Sequence, residues 1–160
     1  MDIIWQELTA GLPDWPHLAH AIIRLLAAAI LGGLIGWQRE RAGKSAGLRT
    51  HILVAFGTCV LIVTCAGYGM SPDALSRVIQ GIVTGLGFLG AGTILKSTDQ
   101  IHIRGLTTAA GIWATAAIGV ATGLGMVGLA TLVTVIALIV LTLVRRIEHK
   151  TDLDRAEQDK

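Results

Sequence analysis

Five apolar runs, at residues 18–37, 50–69, 78–95, 106–121 and 127–144, divide this chain. About 20 apolar residues are needed to carry a helix across the hydrocarbon core of a bilayer. Backbone polar groups inside lipid must be paired within the segment, which favours helices for runs of this length. Composition agrees: 52% of the residues are hydrophobic and only 15% are charged, whereas a soluble domain carries about 25% charged residues. The predicted fold is all-α, a polytopic membrane bundle of about five transmembrane helices. A lead-in covers 1–17, the membrane domain 18–144 and a charged tail 145–160.

The connecting segments differ in charge. Residues 38–49 hold Arg39, Arg41, Lys44 and Arg49 against Glu40, residues 96–104 hold Lys96 and Arg104 against Asp99, and Arg145 and Arg146 follow the last run. Basic loops stay in the cytoplasm, which predicts an outside N-terminus and an inside C-terminus. Arg77, at an outer helix end, is the dissenter. Trp5 and Trp15 suit an interfacial belt. Pro13 and Pro16 are expected to stop any helix in the lead-in, and Ser71 or Asp73 to cap the third span. The first residues carry acids and no Lys or Arg, unlike the basic start of a signal peptide. A net charge of +2 is too small to imply a nucleic-acid partner.

Glycine is the second constraint, because each one costs about 1 kcal/mol relative to alanine inside a helix. Gly32 and Gly36 form a small-xxx-small pair in the first span, a face for close helix packing. The third span holds Gly81, Gly85, Gly87, Gly90 and Gly92. They serve close packing against two neighbours, or a kink that lines a polar pathway. Arg24 is an intramembrane charge in the first third of its span. Either it marks function, or its long stem lets it reach the near interface.

The second and fourth spans both open with Gly-Leu-x-Thr, at 47–50 and 105–108, beside Arg49 and Arg104. Free N–H groups and a partial positive charge at a helix start make an anion site. Glu40, Arg49, Thr50, His51, Arg104, Gly105, Thr107 and Thr108 are therefore the candidate working face on the cytoplasmic side. Its occupant is either an external anion (phosphate, a lipid headgroup, a carboxylate) or Glu40 itself, latched to Arg49 or Arg104.

Other chemistry is poorly supplied. Mg2+ prefers carboxylate oxygens, and Glu40, Asp73 and Asp99 all fall in loops. No GxxxxGK[ST] loop and no nucleophile–base set is present. His51 and His102 at the boundary lack a cysteine or acidic cluster and read as interface residues. Cys59 and Cys65 are six apart, off one helical face, and read as structural thiols. No enzyme activity, cofactor or metal site is expected.

The blocks LIGWQRERAGKSAGLRTHILVAFGT, GIVTGLGFLGAGTIL and IRGLTTAAGIWATAAIGVATGLG resemble the signature blocks of the MgtC/SapB membrane proteins, over about residues 20–145. The resemblance implies a multi-pass protein of the bacterial inner membrane, linked to magnesium homeostasis and to survival inside host cells, with no settled activity. It implies as partners the bilayer, another inner-membrane protein such as the ATP synthase or a transporter, or a second copy of the chain. The namesakes carry a soluble cytoplasmic domain after the last span. Here a short tail follows, so the shorter SapB-like form is the closer match. Two functions are expected: a regulatory or interaction protein acting on membrane energetics or ion homeostasis, or a small transporter or channel subunit for an ion or anionic solute.

Overall fold

The computed structural model describes residues 2–9, 14–96 and 103–158. Among them stand the helices α1 (Asp2–Thr9), α2 (Trp15–Arg41), α3 (Leu48–Gly67), α4 (Pro72–Thr93), α5 (Leu106–Gly123) and α6 (Val127–Gln158). The helices α2 to α5 are long and apolar enough to cross a membrane, and Val127–Leu143 of α6 is a shorter apolar helix. The protein is a helical membrane bundle whose rods follow the five apolar runs.

The helices overrun those runs, for local reasons. Pro16 lies in the first turn of α2, where its missing N–H has no intrahelical partner to lose. The helix stop expected at Pro16 is therefore a helix start; Pro13 lies outside the described residues. At its other end α2 continues to Arg41, whose guanidinium stacks 3.8 Å from the Trp37 ring centre, a one-turn pairing of cation and aromatic face. Helix α4 starts at Pro72, before its apolar run, with Ser71 Oγ accepting from Ala74 N–H at 3.3 Å. Arg77 is thus an exposed residue of α4. Helix α6 runs past Arg145 and Arg146 without interruption, so the tail is helical to Gln158.

The link from α4 to α5 is not simply a loop. Leu95–Lys96 (β1) pairs antiparallel with Ile103–Arg104 (β2), Leu95 opposite Arg104 and Lys96 opposite Ile103. Gly105 then turns the chain into α5 at φ +99. A Cβ at that point would run into the Thr93 carbonyl. Glycine is required twice over, by the left-handed backbone and by the contact.

Helix α5 is the hub. It packs against α2, α3, α4 and α6, and half of its span is buried, against 6% for α4. Its inward residues include Thr108, Gly111, Ile112, Thr115, Gly119 and Thr122, the three-and-four spacing of one helical face. Against that face sit Leu31 and Ile35 of α2 with Ile118, and Leu86 of α4 with Ile112 and Ala116. Helix α6 turns Leu132, Ile136, Ile139 and Leu143 outward, as a lipid-facing rod does.

Close approach is made by glycine. A Cβ on Gly32 would lie 2.6 Å from the His51 carbonyl oxygen, and one on Gly36 would lie 2.7 Å from the Leu48 Cα. A Cβ on Gly123 would lie 2.7 Å from the Ile62 Cβ. Helices α2, α3 and α5 therefore touch backbone to backbone, where dispersion contacts rather than a hydrophobic difference hold helices together in lipid.

Candidate functional site

Polar groups are buried in a seam between α2, α3 and α5. In lipid each hydroxyl must find an acceptor, and the threonines do so locally. Thr115 donates to Gly111 O at 2.9 Å and Thr122 to Ile118 O at 2.7 Å; on α6, outside this seam, Thr134 does the same to Ala130 O at 2.8 Å. Thr58 also reaches across from α3 to Ala116 O of α5 at 3.2 Å.

The basic end of this seam contains the site. Arg39 is 2% exposed, and its Nη2 donates to Thr108 Oγ1 at 3.0 Å, in the first turn of α5. His51 is fully buried, with Nδ1 2.7 Å from Thr115 Oγ1. Thr115 Oγ1 thus lies within reach of both Gly111 O and the His51 ring. Among the described residues, Arg39 Nε and His51 Nε2 have no hydrogen-bond partner, and neither does Gln38 Oε1.

The predicted working face divides. His51 and Thr108 lie inside the seam. Glu40 latches to the backbone: its Oε2 accepts from Leu48 N–H at 2.8 Å, and its expected pairing with Arg104 lies outside the described residues. The short turn after α2 brings this carboxylate to the start of α3, where the helix dipole favours it. Arg49 and Thr50 are exposed and line a groove between α3 and α4. Thr107 and Lys44 are exposed, and Gly105 is the chain reversal. Arg104 has its backbone in β2; its side chain, Asp99 and His102 lie outside the described residues. Of the anion pocket expected from Arg49, Arg104 and both helix starts, Glu40 occupies the α3 start and Arg49 lines the groove; the part that rests on the Arg104 side chain lies outside the described residues.

Arg39 is the residue that sequence reasoning missed, because it was counted among loop charges. A signal was present: Arg39 follows Gly32 and Gly36 at helical spacing, so it falls on the packing face once α2 is extended by one turn. Thr115 was readable likewise, two turns beyond Thr108 with Gly111 between.

At the other end, Arg24 Nη1 donates to Gly123 O at 3.0 Å, at the C-terminus of α5. The intramembrane charge thus caps a helix across the bundle, where it meets the negative end of the dipole.

The third-span glycines differ from expectation. A Cβ on Gly81, Gly85, Gly87 or Gly92 would meet nothing within 4 Å, and one on Gly90 would meet only Ala109 Cβ, at 3.6 Å. Within this chain the close packing falls to the glycines of α2 and α5 instead, because α4 packs loosely along α3. Between α3 and α4 runs an apolar groove of about 780 Å3, lined by Gly57, Leu61, Gly81, Ile82 and Gly85 with Arg49 at one end.

The MgtC family model matches residues 25–150. The chain is similar to the putative magnesium transporter YhiD of Escherichia coli K12, at 46% identity over 133 residues, 77% of this chain and 60% of that protein. It is similar to protein MgtC of Brucella abortus, at 43% over 131 residues, 82% of this chain and 54% of that protein. It is also similar to protein SrpB of Synechococcus elongatus, at 40% over 147 residues, 85% and 79% of the two chains. The chain thus spans less than two thirds of the length of the first two. No solved structure matches it significantly.

Proposed function

We propose that this chain, which belongs to the MgtC family, is an inner-membrane protein that acts by helix-to-helix contact with another membrane protein in magnesium or ion homeostasis, without chemistry of its own. Its basic end faces the cytoplasm, as the distribution of Lys and Arg favours.

One observation carries the reading: the helix packing is closed where a path would run and open where a partner would dock. Helices α2, α3 and α5 meet at glycines with no room for a Cβ. The α3–α4 groove, by contrast, presents Gly57, Gly81 and Gly85 with nothing against them. Gly81 and Gly85 are spaced as small-xxx-small, which admits the backbone of a further transmembrane helix. The printed names of the relatives support the link to magnesium.

The second reading, a small transporter, is favoured by the name of the Escherichia coli relative. Against it stands the sign of the buried charge. Arg39 is buried and Arg24 half-buried, and positive groups repel a divalent cation that seeks carboxylate oxygen. Purified protein in liposomes tests both readings. No flux of Mg2+, phosphate or protons, together with a stoichiometric partner cross-linked through a cysteine placed at Gly85, is the expected result. Saturable Mg2+ flux that survives Gly85→Leu overturns the contact reading.

A further inference from the structure

We propose that the groove between α3 and α4 seats one acyl chain of an anionic phospholipid from the leaflet at the basic end of the bundle, with the lipid phosphate on the Arg49 guanidinium. The lipid site stands on the geometry of the isolated chain. That the lipid holds the groove until a partner helix takes it rests on the contact reading above.

A concave apolar surface inside a bilayer does not stay empty. The groove has a volume of about 780 Å3, within the range of small-molecule sites, about 300–1,000 Å3. Water does not fill it, because an apolar cavity offers no hydrogen-bond partners. Its interior hydroxyl, that of Thr58, is already satisfied by backbone carbonyls, Val54 O at 2.9 Å and Ala116 O at 3.2 Å. Left unfilled, the lining forfeits its dispersion contacts on one side. Among the described residues no side chain fills the floor: a Cβ on Gly57, Gly81 or Gly85 would meet nothing within 4 Å. Hydrocarbon is the material that fits such a surface.

Length and charge narrow the guest. The lining runs from Arg49 to Leu61 on α3 and from Val78 to Leu89 on α4. At about 1.5 Å per residue, that stretch of α3 rises about 18 Å. One leaflet contributes about 15 Å, half of the hydrocarbon core. An acyl chain is therefore as long as the groove, whereas a transmembrane helix continues past it. Beyond Leu61 and Val78 the two helices are tied by the short link 68–71, so the chain enters from the Arg49 end. Arg49 and Thr50 stand there, both exposed, and apart from Thr58 the rest of the lining is apolar. The neighbouring carboxylate, Glu40, accepts from Leu48 N–H. Arginine is a forked donor to phosphate, and basic pockets between transmembrane helices take anionic headgroups. A zwitterionic headgroup brings its own cation towards Arg49 and gains less.

The test uses the full chain in nanodiscs of phosphatidylcholine with a minor share of phosphatidylglycerol, released into native mass spectrometry so that retained lipids are counted. One phosphatidylglycerol per chain is expected to survive release, favoured over phosphatidylcholine by about five-fold, the worth of one arginine at an anionic headgroup. Arg49→Gln should leave one lipid bound and remove the preference. Gly85→Leu should remove the lipid altogether. Gly81→Leu, which obstructs the same groove one turn away, keeps the test if the first variant fails to fold. Lys44→Gln, an exposed charge at the same end but outside the groove, should leave the preference unchanged. The proposal is overturned if the wild type retains no lipid, if it retains the two lipids equally, or if the folded leucine variants keep the same lipid. It is overturned equally if Lys44→Gln erases the preference as fully as Arg49→Gln, which would make the selectivity a property of the basic surface. Absence of a partner in the cross-linking experiment would overturn the contact reading alone and leave the lipid site standing.

Discussion

Helix α5 meets an arginine of α2 at each end, and the two meetings have opposite electrostatic sense. At the C-terminus, Arg24 donates to the Gly123 carbonyl, a cation on the negative pole of the dipole. At the N-terminus, Arg39 lies on the positive pole and bonds a neutral hydroxyl. The first arrangement is complete within the chain. The second leaves an excess of donors and positive charge in a buried place. Position along one helix therefore does not decide what a charged residue does; the end of the neighbouring helix that it reaches decides.

The comparison can be broken in several ways. The largest effect is expected from Gly36→Leu, which wedges α2 away from Leu48 and lifts the Arg39 end off α5. Backbone cannot yield to a side chain, so a loss of about 3 kcal/mol or failure to fold is expected, read by detergent-phase unfolding followed through tryptophan fluorescence.

Next come the two arginines themselves, where the sign should differ. Arg24→Met removes a charge-assisted hydrogen bond to a helix end and should cost about 1–2 kcal/mol. Arg39→Met replaces an uncompensated buried charge with an apolar chain and should leave stability unchanged or raise it by about 1 kcal/mol. Equal losses in the two unfolding curves would remove the distinction between the ends.

Glu40→Ala strips the α3 start of its carboxylate and makes it resemble the α5 start. A loss of about 1 kcal/mol is expected in the same assay, the usual worth of an N-cap.

The smallest effect belongs to Gly85→Ala, remote from both ends. Its Cβ meets nothing, so the isolated chain should be unchanged or gain about 0.5–1 kcal/mol from helix propensity, while co-purification of a docked partner falls.

Much of the architecture was legible because lipid imposes a one-dimensional rule. Runs of apolar residues must be helices, and the charge between them orders the spans. Ser71 was also readable as a cap, since its chemistry is local. Helix ends were less so. Pro16 reads as a stop from its ring, yet becomes a start because the chain had no earlier turn to interrupt. Arg39 reads as a loop charge until α2 is carried one turn beyond its apolar run. The glycines of the third span read as close packing or a kink, but among the described residues nothing sits against Gly81, Gly85, Gly87 or Gly92, whereas equally plain glycines of α2 and α5 pack against backbone.

Sequence alone was sufficient for the number of rods, their membrane setting and the polar inventory, because each follows from what a residue costs in hydrocarbon. Tertiary structure decided which polar groups share a site. Thr108 and Thr115 come from one helix, Arg39 and His51 from two others, and their meeting depends on Gly32 and Gly36 letting α2 and α3 close to backbone contact. Only that approach places a guanidinium on the positive end of α5, and so turns a basic residue next to a loop into a buried one bonded to Thr108.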